Sequence, residues 1–353
     1  MIRTTAFLLT GLAAICSLST VSQAATFQLV TQLDSAALNA GVPGSVAAYG
    51  DTVYIANLFG GQISRITDPL GTPTNANTFG AILPGNGRVS LSTDGTTLAA
   101  ASNNAGAADT LESYAFGADT LNFSALPAAY GRSRFDGAAV DPNTGNIFAT
   151  GFGSGFPLVI DPTTGADASD SPSGLFDGPT GTGFRDIEFD NATGDIYLRA
   201  VNGVAVGGRS GADDFVKLNG TTAGVEAIAF GPTVGDGFNS AINVEFVPNP
   251  FGEDLVIFNR RNAADTFADQ VLVYEADAAN APVAATFLAA DGSAFTTADA
   301  ASGIYDFSFD PVSSLLYVSD FSTSQVHVFN VVPEPTGALL VFGGLLIAAH
   351  RRS

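Results

Sequence analysis

Ala139-Val140-Asp141-Pro142-Asn143-Thr144-Gly145-Asn146-Ile147-Phe148 and Glu188-Phe189-Asp190-Asn191-Ala192-Thr193-Gly194-Asp195-Ile196-Tyr197 are two copies of one phrase. Each is a short hydrophobic strand, a turn of Asp, Asn, Thr and Gly, and a second hydrophobic strand. Asn, Asp and Gly tolerate positive φ, so this turn closes a tight hairpin. Looser copies pair Val46–Tyr49 with Val53–Ile55, Val89–Leu91 with Leu98–Ala100, Val244–Phe246 with Leu255–Ile257, and Phe307–Pro311 with Leu316–Val318. Counted from the start of each second strand, the spacings are 45, 49, 49, 59 and 61 residues, the length of a four-stranded unit. A unit recurring at such a period buries its faces only by stacking on its neighbours.

Between the two ends of the chain no helical periodicity competes with this pattern. Bulky and small or polar positions alternate instead, as in Ile187 and Phe189 against Asp186 and Glu188, or Ile228 and Phe230 against Ala227 and Ala229. Radially packed sheets interlock in this way. The expectation is an all-β chain, a β-propeller of six blades over residues 25–331. The long fifth and sixth intervals leave room for a seventh, with Ala227–Phe230 as its inner strand. A strand near Phe27–Val30 is expected to close the ring by pairing with the last blade.

Leu316-Tyr317-Val318-Ser319-Asp320 through Gln325-Val326-His327-Val328-Phe329 resembles one repeat of the NHL/YVTN class of propellers, and Val53-Tyr54-Ile55-Ala56-Asn57 through Gln62-Ile63-Ser64-Arg65-Ile66 resembles another. The resemblance implies a fold and no single chemistry. Propellers of this kind serve as binding platforms, as structural domains and, less often, as enzymes.

The ends of the chain carry signals of another kind. Arg3, the uncharged apolar run Ala6–Leu18 and the small-x-small pattern Ser22-Gln23-Ala24 read as a secretory leader over residues 1–24, to be cut by signal peptidase before Ala25. The one cysteine, Cys16, lies in that leader, so disulfides and thiolate chemistry are not expected of the mature chain. At the other end, Val332-Pro333-Glu334-Pro335 precedes an apolar run from Gly337 to Ala349 and the basic close His350-Arg351-Arg352-Ser353. As a helix that run spans roughly 20 Å, short of the ~30 Å bilayer core. Its position after two prolines and before an arginine pair nevertheless reads as a short transmembrane segment with the body outward. In order and position, residues 332–353 resemble the PEP-CTERM sorting signal. The resemblance implies recognition of Pro333, Glu334 and Pro335 by an exosortase, and export to the cell surface or a biofilm matrix with extracellular polysaccharide as partner.

Between the leader and the C-terminal apolar run the chain holds ten basic residues against 34 acidic ones, a net charge of −24. Nucleic acids and anionic lipids are bound through Lys and Arg, so such a surface excludes them as partners. His327, the one histidine outside the tail, lies between Val326 and Val328 without a Gly-x-Ser-x-Gly elbow, and reads as a strand residue on a solvent face. The turn Asp190–Asp195 lacks EF-hand spacing.

Four carboxylates, Asp136, Asp186, Glu226 and Asp306, stand at the starts of the presumed inner strands. In a propeller these positions gather at the central channel, where an arrangement similar in kind holds Ca2+ in six-bladed sugar lactonases. Calcium takes six to eight oxygens, however, and the bland reading gives these residues backbone amides as partners. The sequence therefore reads as an exported binding or structural propeller without an enzymatic motif. A calcium-dependent hydrolase or lactonase acting on an extracellular sugar or lactone is the alternative.

Overall fold

A computed structural model describes residues 25–83, 87–102, 109–151, 157–168, 183–201, 215–218, 227–230, 243–259, 271–276, 283–296 and 303–333. The leader, the segment from Glu334 onward and Glu226 lie outside them. Among the described residues the secondary structure is 23 strands and one 3-10 turn, Pro127–Tyr130, and no helix is long and apolar enough to cross a membrane.

The strands form six sheets. Strand β1 (Ala25–Asp34) opens the described chain and belongs to the last of them. The first sheet is β2 (Pro43–Tyr49), β3 (Thr52–Asn57), β4 (Ile63–Thr67) and β5 (Thr74–Phe79). The second is β6 (Arg88–Thr93), β7 (Thr97–Ser102), β8 (Leu111–Ala115) and β9 (Thr120–Ala125). The third shows β10 (Gly137–Val140), β11 (Ile147–Thr150) and β12 (Leu158–Ile160). The fourth is β13 (Gly183–Phe189), β14 (Ile196–Val201), β15 (Phe215–Leu218) and β16 (Ala227–Phe230). The fifth shows β17 (Val244–Val247), β18 (Leu255–Asn259) and β19 (Val271–Glu275). The sixth runs β21 (Ile304–Asp310), β22 (Leu315–Asp320), β23 (Gln325–Val332), β1, with β20 (Ala285–Leu288) beyond.

Each sheet begins with its innermost strand, and β2, β6, β10, β13, β17 and β21 neighbour one another in that order, with β21 returning to β2. The fold is a β-propeller. Its core is divided among the sheet interfaces. Phe184, Ile187 and Phe189 pack on Phe148 and Val159, and Val46, Ala48 and Val53 pack on Tyr317, Val326 and Val328. The ring closes through chain termini, as the Phe27–Val30 reading anticipated: β1 pairs antiparallel with β23, Phe27 opposite Val331 and Gln32 opposite His327. Phe27 is fully buried and stacks on Phe287.

Two expectations are corrected. Among the described strands Ala227–Phe230 is the outermost of the fourth sheet, paired with β15 alone, and not the inner strand of a seventh blade. Alternation of large and small side chains marks a strand packed on both faces and carries no information about its distance from the axis. His327 does not face solvent: it is 1% exposed, with Nε2 3.3 Å from Asp320 Oδ2 and Nδ1 2.9 Å from Gln32 Nε2. It joins β22, β23 and β1, so its neighbours across the sheet, invisible in the local sequence, decide its burial.

The repeated turn owes its shape to one aspartate. Asp141 Oδ1 accepts the Asn143 N–H and Asp190 Oδ1 accepts the Ala192 N–H, while Gly145 and Gly194 sit at φ 74° and 76°. Positive φ is cheap for glycine, which explains the fixed Gly of the phrase. The same device recurs at Asp161, whose Oδ1 accepts from Thr163 and Thr164.

Candidate functional site

The channel side of the propeller is built in layers along the inner strands. At their starts, Leu58, Val89 and Tyr305 form a small apolar cluster. Below it lies a polar layer of Ser90, Asp186, Asn243 and Asp306. Asn243 donates from Nδ2 to Asp306 Oδ1 at 2.7 Å, and Ser90 Oγ is 3.4 Å from Asp186 Oδ1. Near the strand ends a cavity of about 330 Å³ opens, to which each sheet contributes, through Tyr49, Ser92, Val140, Glu188, Glu245 and Ser308 among others.

These polar side chains first serve the fold. Asp306 Oδ2, Ser308 Oγ and Asp310 Oδ1 accept the N–H groups of Val46, Ala48 and Gly50 in the next sheet, at 3.0 Å each. Ser90 and Ser92 accept likewise from Ala138 and Val140, Asp186 from Val244, and Glu245 from Phe309. Inner strands of neighbouring sheets are not paired by a backbone ladder, so their buried N–H groups need side-chain acceptors. A polar residue every second position supplies them. The inner strand of the third sheet, Gly137–Val140, carries no such acceptor, and there Gly137 lets the backbones meet: a Cβ on it would lie 2.6 Å from Asp186 Cα.

Of the four carboxylates singled out in the sequence, the structure brings Asp186 and Asp306 together on the channel. Asp136 stands one residue before Gly137, which occupies the matching register four residues ahead of the turn aspartate; its Oδ2 instead pairs with Arg134 Nε at 2.7 Å. Glu226 lies outside the described residues. Among the described residues no group of three or more His, Cys, Asp or Glu side chains is arranged to hold a metal ion.

The structure adds two carboxyls that sequence reading passed over, Glu188 and Glu245. Both sit two residues from a turn or strand end inside apolar strands, and that context was the available signal. Burial pushes Glu188 up to about 7, against the opposing hydrogen bond from the Phe189 amide. Glu245 is raised well above the usual carboxylate range, first by burial and then by the charge of Glu188. Asp186 and Asp306 are raised by burial too, and further by Glu188 and Asp186 respectively, while the Val244 and Val46 amides oppose the shift. Glu188 keeps partial exposure although it is set deep in the protein, because the cavity is its route to water. The site is thus a polar cup at the axis: carboxyls held toward the neutral form, able to donate as well as accept, beside Ser92 and Ser308 hydroxyls and the Tyr49 ring.

No family model matches the chain, and no curated protein matches it. Solved structures do. An auxiliary nutrient binding protein from Bacteroides thetaiotaomicron is similar over 83% of this chain and 69% of its own, at TM-score 0.55 and 11% identity. A protein of the same organism provisionally described as a phosphatase is similar over 83% of this chain and 72% of its own, at TM-score 0.53 and 15% identity. The β-propeller domain of Cps50 (Swd1) from Myceliophteria thermophila covers 86% of this chain and 99% of its own, at TM-score 0.49 and 10% identity. At such identities the likeness concerns the fold alone.

Proposed function

We propose that this chain is an exported, surface-sorted six-bladed propeller that binds a hydroxyl-rich ligand, a sugar unit of an extracellular polysaccharide, in its axial cup. The observation carrying this reading is the cavity of about 330 Å³ where the sheets converge, lined by Glu188, Glu245, Ser92 and Ser308. That volume lies at the small end of ligand pockets. Carboxyls near neutrality and hydroxyls both donate and accept, which suits vicinal hydroxyl groups and disfavours anions. A nutrient binding protein among the similar folds is in keeping with such a role.

The leader and the Pro333-Glu334-Pro335 segment supply export and sorting in this reading, with signal peptidase and an exosortase as processing partners. Replacing Pro333, Glu334 and Pro335 by alanine is expected to leave uncut precursor in the inner membrane, as followed by immunoblot of membrane fractions. Normal maturation of that variant refutes the sorting assignment. For the body, the test is a binding screen of the chain from Ala25 against neutral and acidic polysaccharides, with and without calcium. Saturable binding of a neutral glycan is expected, and binding of acidic glycans alone refutes the reading.

A second reading, hydrolysis of an extracellular sugar or lactone, draws on Glu188. A carboxyl near pH 7 at the wall of a cavity is poised for general acid–base work. Calcium-dependent turnover lost in both Asp186→Asn and Glu188→Gln would select it over binding alone.

A further inference from the structure

Glu188 and Glu245 reach the axial cup from neighbouring sheets, and each commits one carboxyl oxygen to the fold. Glu188 Oε1 accepts the Phe189 N–H at 3.0 Å, and Glu245 Oε1 accepts the Phe309 N–H at 2.9 Å. Their second oxygens have no hydrogen-bond partner among the described residues, although Glu245 is only 6% exposed and both residues form the cavity wall. Asp94 adds a third carboxyl at the mouth, where its Oδ1 is held by the Thr96 and Thr97 amides. In the polar layer behind them stand Asp186 and Asp306. No Lys, Arg or His is among the described residues that line the cup. The charges are felt at Glu245, which burial raises first, and then Glu188, Asp306 and Asp186. A buried charge is costly unless it is paired. The partner that the cup does not supply for itself is a cation.

We propose that the sugar unit bound in the cup carries a primary amine, and that its ammonium group sits between Glu188 and Glu245. The proposal rests on the reading of the cup as the sugar site. An ammonium presents three N–H donors, and the free oxygens of the two glutamates supply two acceptors. Ser92 and Ser308 line the same wall, and each hydroxyl oxygen that accepts a backbone N–H keeps a second lone pair for the third donor. Hydrogen bonds between ionised partners are roughly twice as strong as neutral ones, so the amine fixes the sugar more firmly than the hydroxyls around it. Burial sets Glu188 at about 7, and its charge pushes Glu245 further toward the neutral form, so one negative charge meets one ammonium. Calcium is a poorer match. It takes six to eight oxygens, and among the described residues no three His, Cys, Asp or Glu side chains are arranged to hold a metal ion.

Titration calorimetry of a glucosamine disaccharide against the glucose disaccharide of the same linkage isolates the amine, because a hydroxyl then stands in its place. Salt at about 0.15 M screens the acidic surface of the body. At about pH 7 the amino sugar is expected to bind about tenfold more tightly, equivalent to ~1.4 kcal/mol. At about pH 5 Glu188 takes up its proton and the two affinities should converge. Glu188→Gln should cut the preference severalfold at neutral pH, and adding Glu245→Gln should erase it while the glucose disaccharide still binds. Each glutamine keeps an acceptor for the backbone N–H. Asn191 stands at the mouth of the cup, so Asn191→Trp should abolish binding of both sugars. Equal affinity for the two sugars at neutral pH, both lost in Asn191→Trp, overturns the proposal and leaves the cup reading standing. Affinity for the amino sugar that survives Asn191→Trp overturns both.

Discussion

Glu188→Gln is the most informative single substitution, because it removes one proton equilibrium and leaves the shape of the cup. Burial holds the Glu188 carboxyl at about 7 in the folded chain, against an ordinary value of 4.5. Below the unfolded value both states carry the proton and its contribution to stability is complete. As pH rises the unfolded chain releases the proton first, so stability falls until the folded group ionises as well. A shift of this size corresponds to about 3 kcal/mol, lost between about pH 4.5 and pH 7. A glutamine stays neutral in both states and can still accept the Phe189 N–H that Glu188 Oε1 accepts. It also relieves Glu245 and Asp186, whose upward shifts include the Glu188 charge. Guanidinium denaturation at about pH 5 and about pH 8 should show Glu188→Gln losing less stability than wild type by on the order of 3 kcal/mol, the loss common to both coming from Glu245, Asp186 and Asp306, which burial also raises. The exposed Glu253→Gln should follow wild type. A wild-type curve flat across this range, or a Glu188→Gln curve as steep as wild type, refutes the buried-carboxyl account.

Gly137→Ala should destabilise by about 1–3 kcal/mol, since its Cβ meets backbone, Asp186 Cα at 2.6 Å and Arg185 O at 2.8 Å, that has no rotamer to escape into; a melting temperature within error of wild type contradicts the interface geometry. Desolvation alone would raise Asp320, but hydrogen bonds from His327, Ser322 and Thr323 outweigh it and hold the carboxyl below its ordinary value. Its stabilisation is therefore present above the unfolded value and lost as pH falls through the lower folded one, so Asp320→Asn should flatten the acid limb of the stability curve measured by fluorescence. Deleting β1 strips β23 of its outer partner and Phe27 from the core, and should yield aggregated or protease-sensitive protein by limited proteolysis. A soluble, protected monomer would contradict closure through the termini.

The all-β ring was legible because its period is written twice almost verbatim, at Asp141–Asn146 and Asp190–Asp195, and because these turns join an Asp acceptor to a glycine at positive φ. The sixth sheet keeps that geometry with Ser314 at φ 58°, so even a turn without glycine followed the pattern. Distance from the axis was not legible: Ala227–Phe230 alternates like an inner strand and is an outer one. Nor was register, where one residue separates Asp136 from the position Gly137 occupies. The cup was half legible. Asp186 and Asp306 were picked out at the starts of inner strands, whereas Glu188 entered only as part of an alternation of side-chain size and Glu245, inside the fifth repeat, was not singled out. His327 shows the general limit, because its burial depends on Gln32 and Asp320, 295 and 7 residues away.

The account turns on the axial cup as the ligand site, and the most direct measurement is titration calorimetry of a neutral oligosaccharide identified in the screen against wild type and Asn191→Trp. Asn191 is exposed at the rim of the cavity, so the larger ring fills the mouth without touching the side chains that accept backbone N–H groups between sheets. Saturable binding to wild type, abolished in Asn191→Trp at unchanged melting temperature, is the predicted result. Equal affinity in both proteins would place the ligand elsewhere on the propeller and contradict the claim.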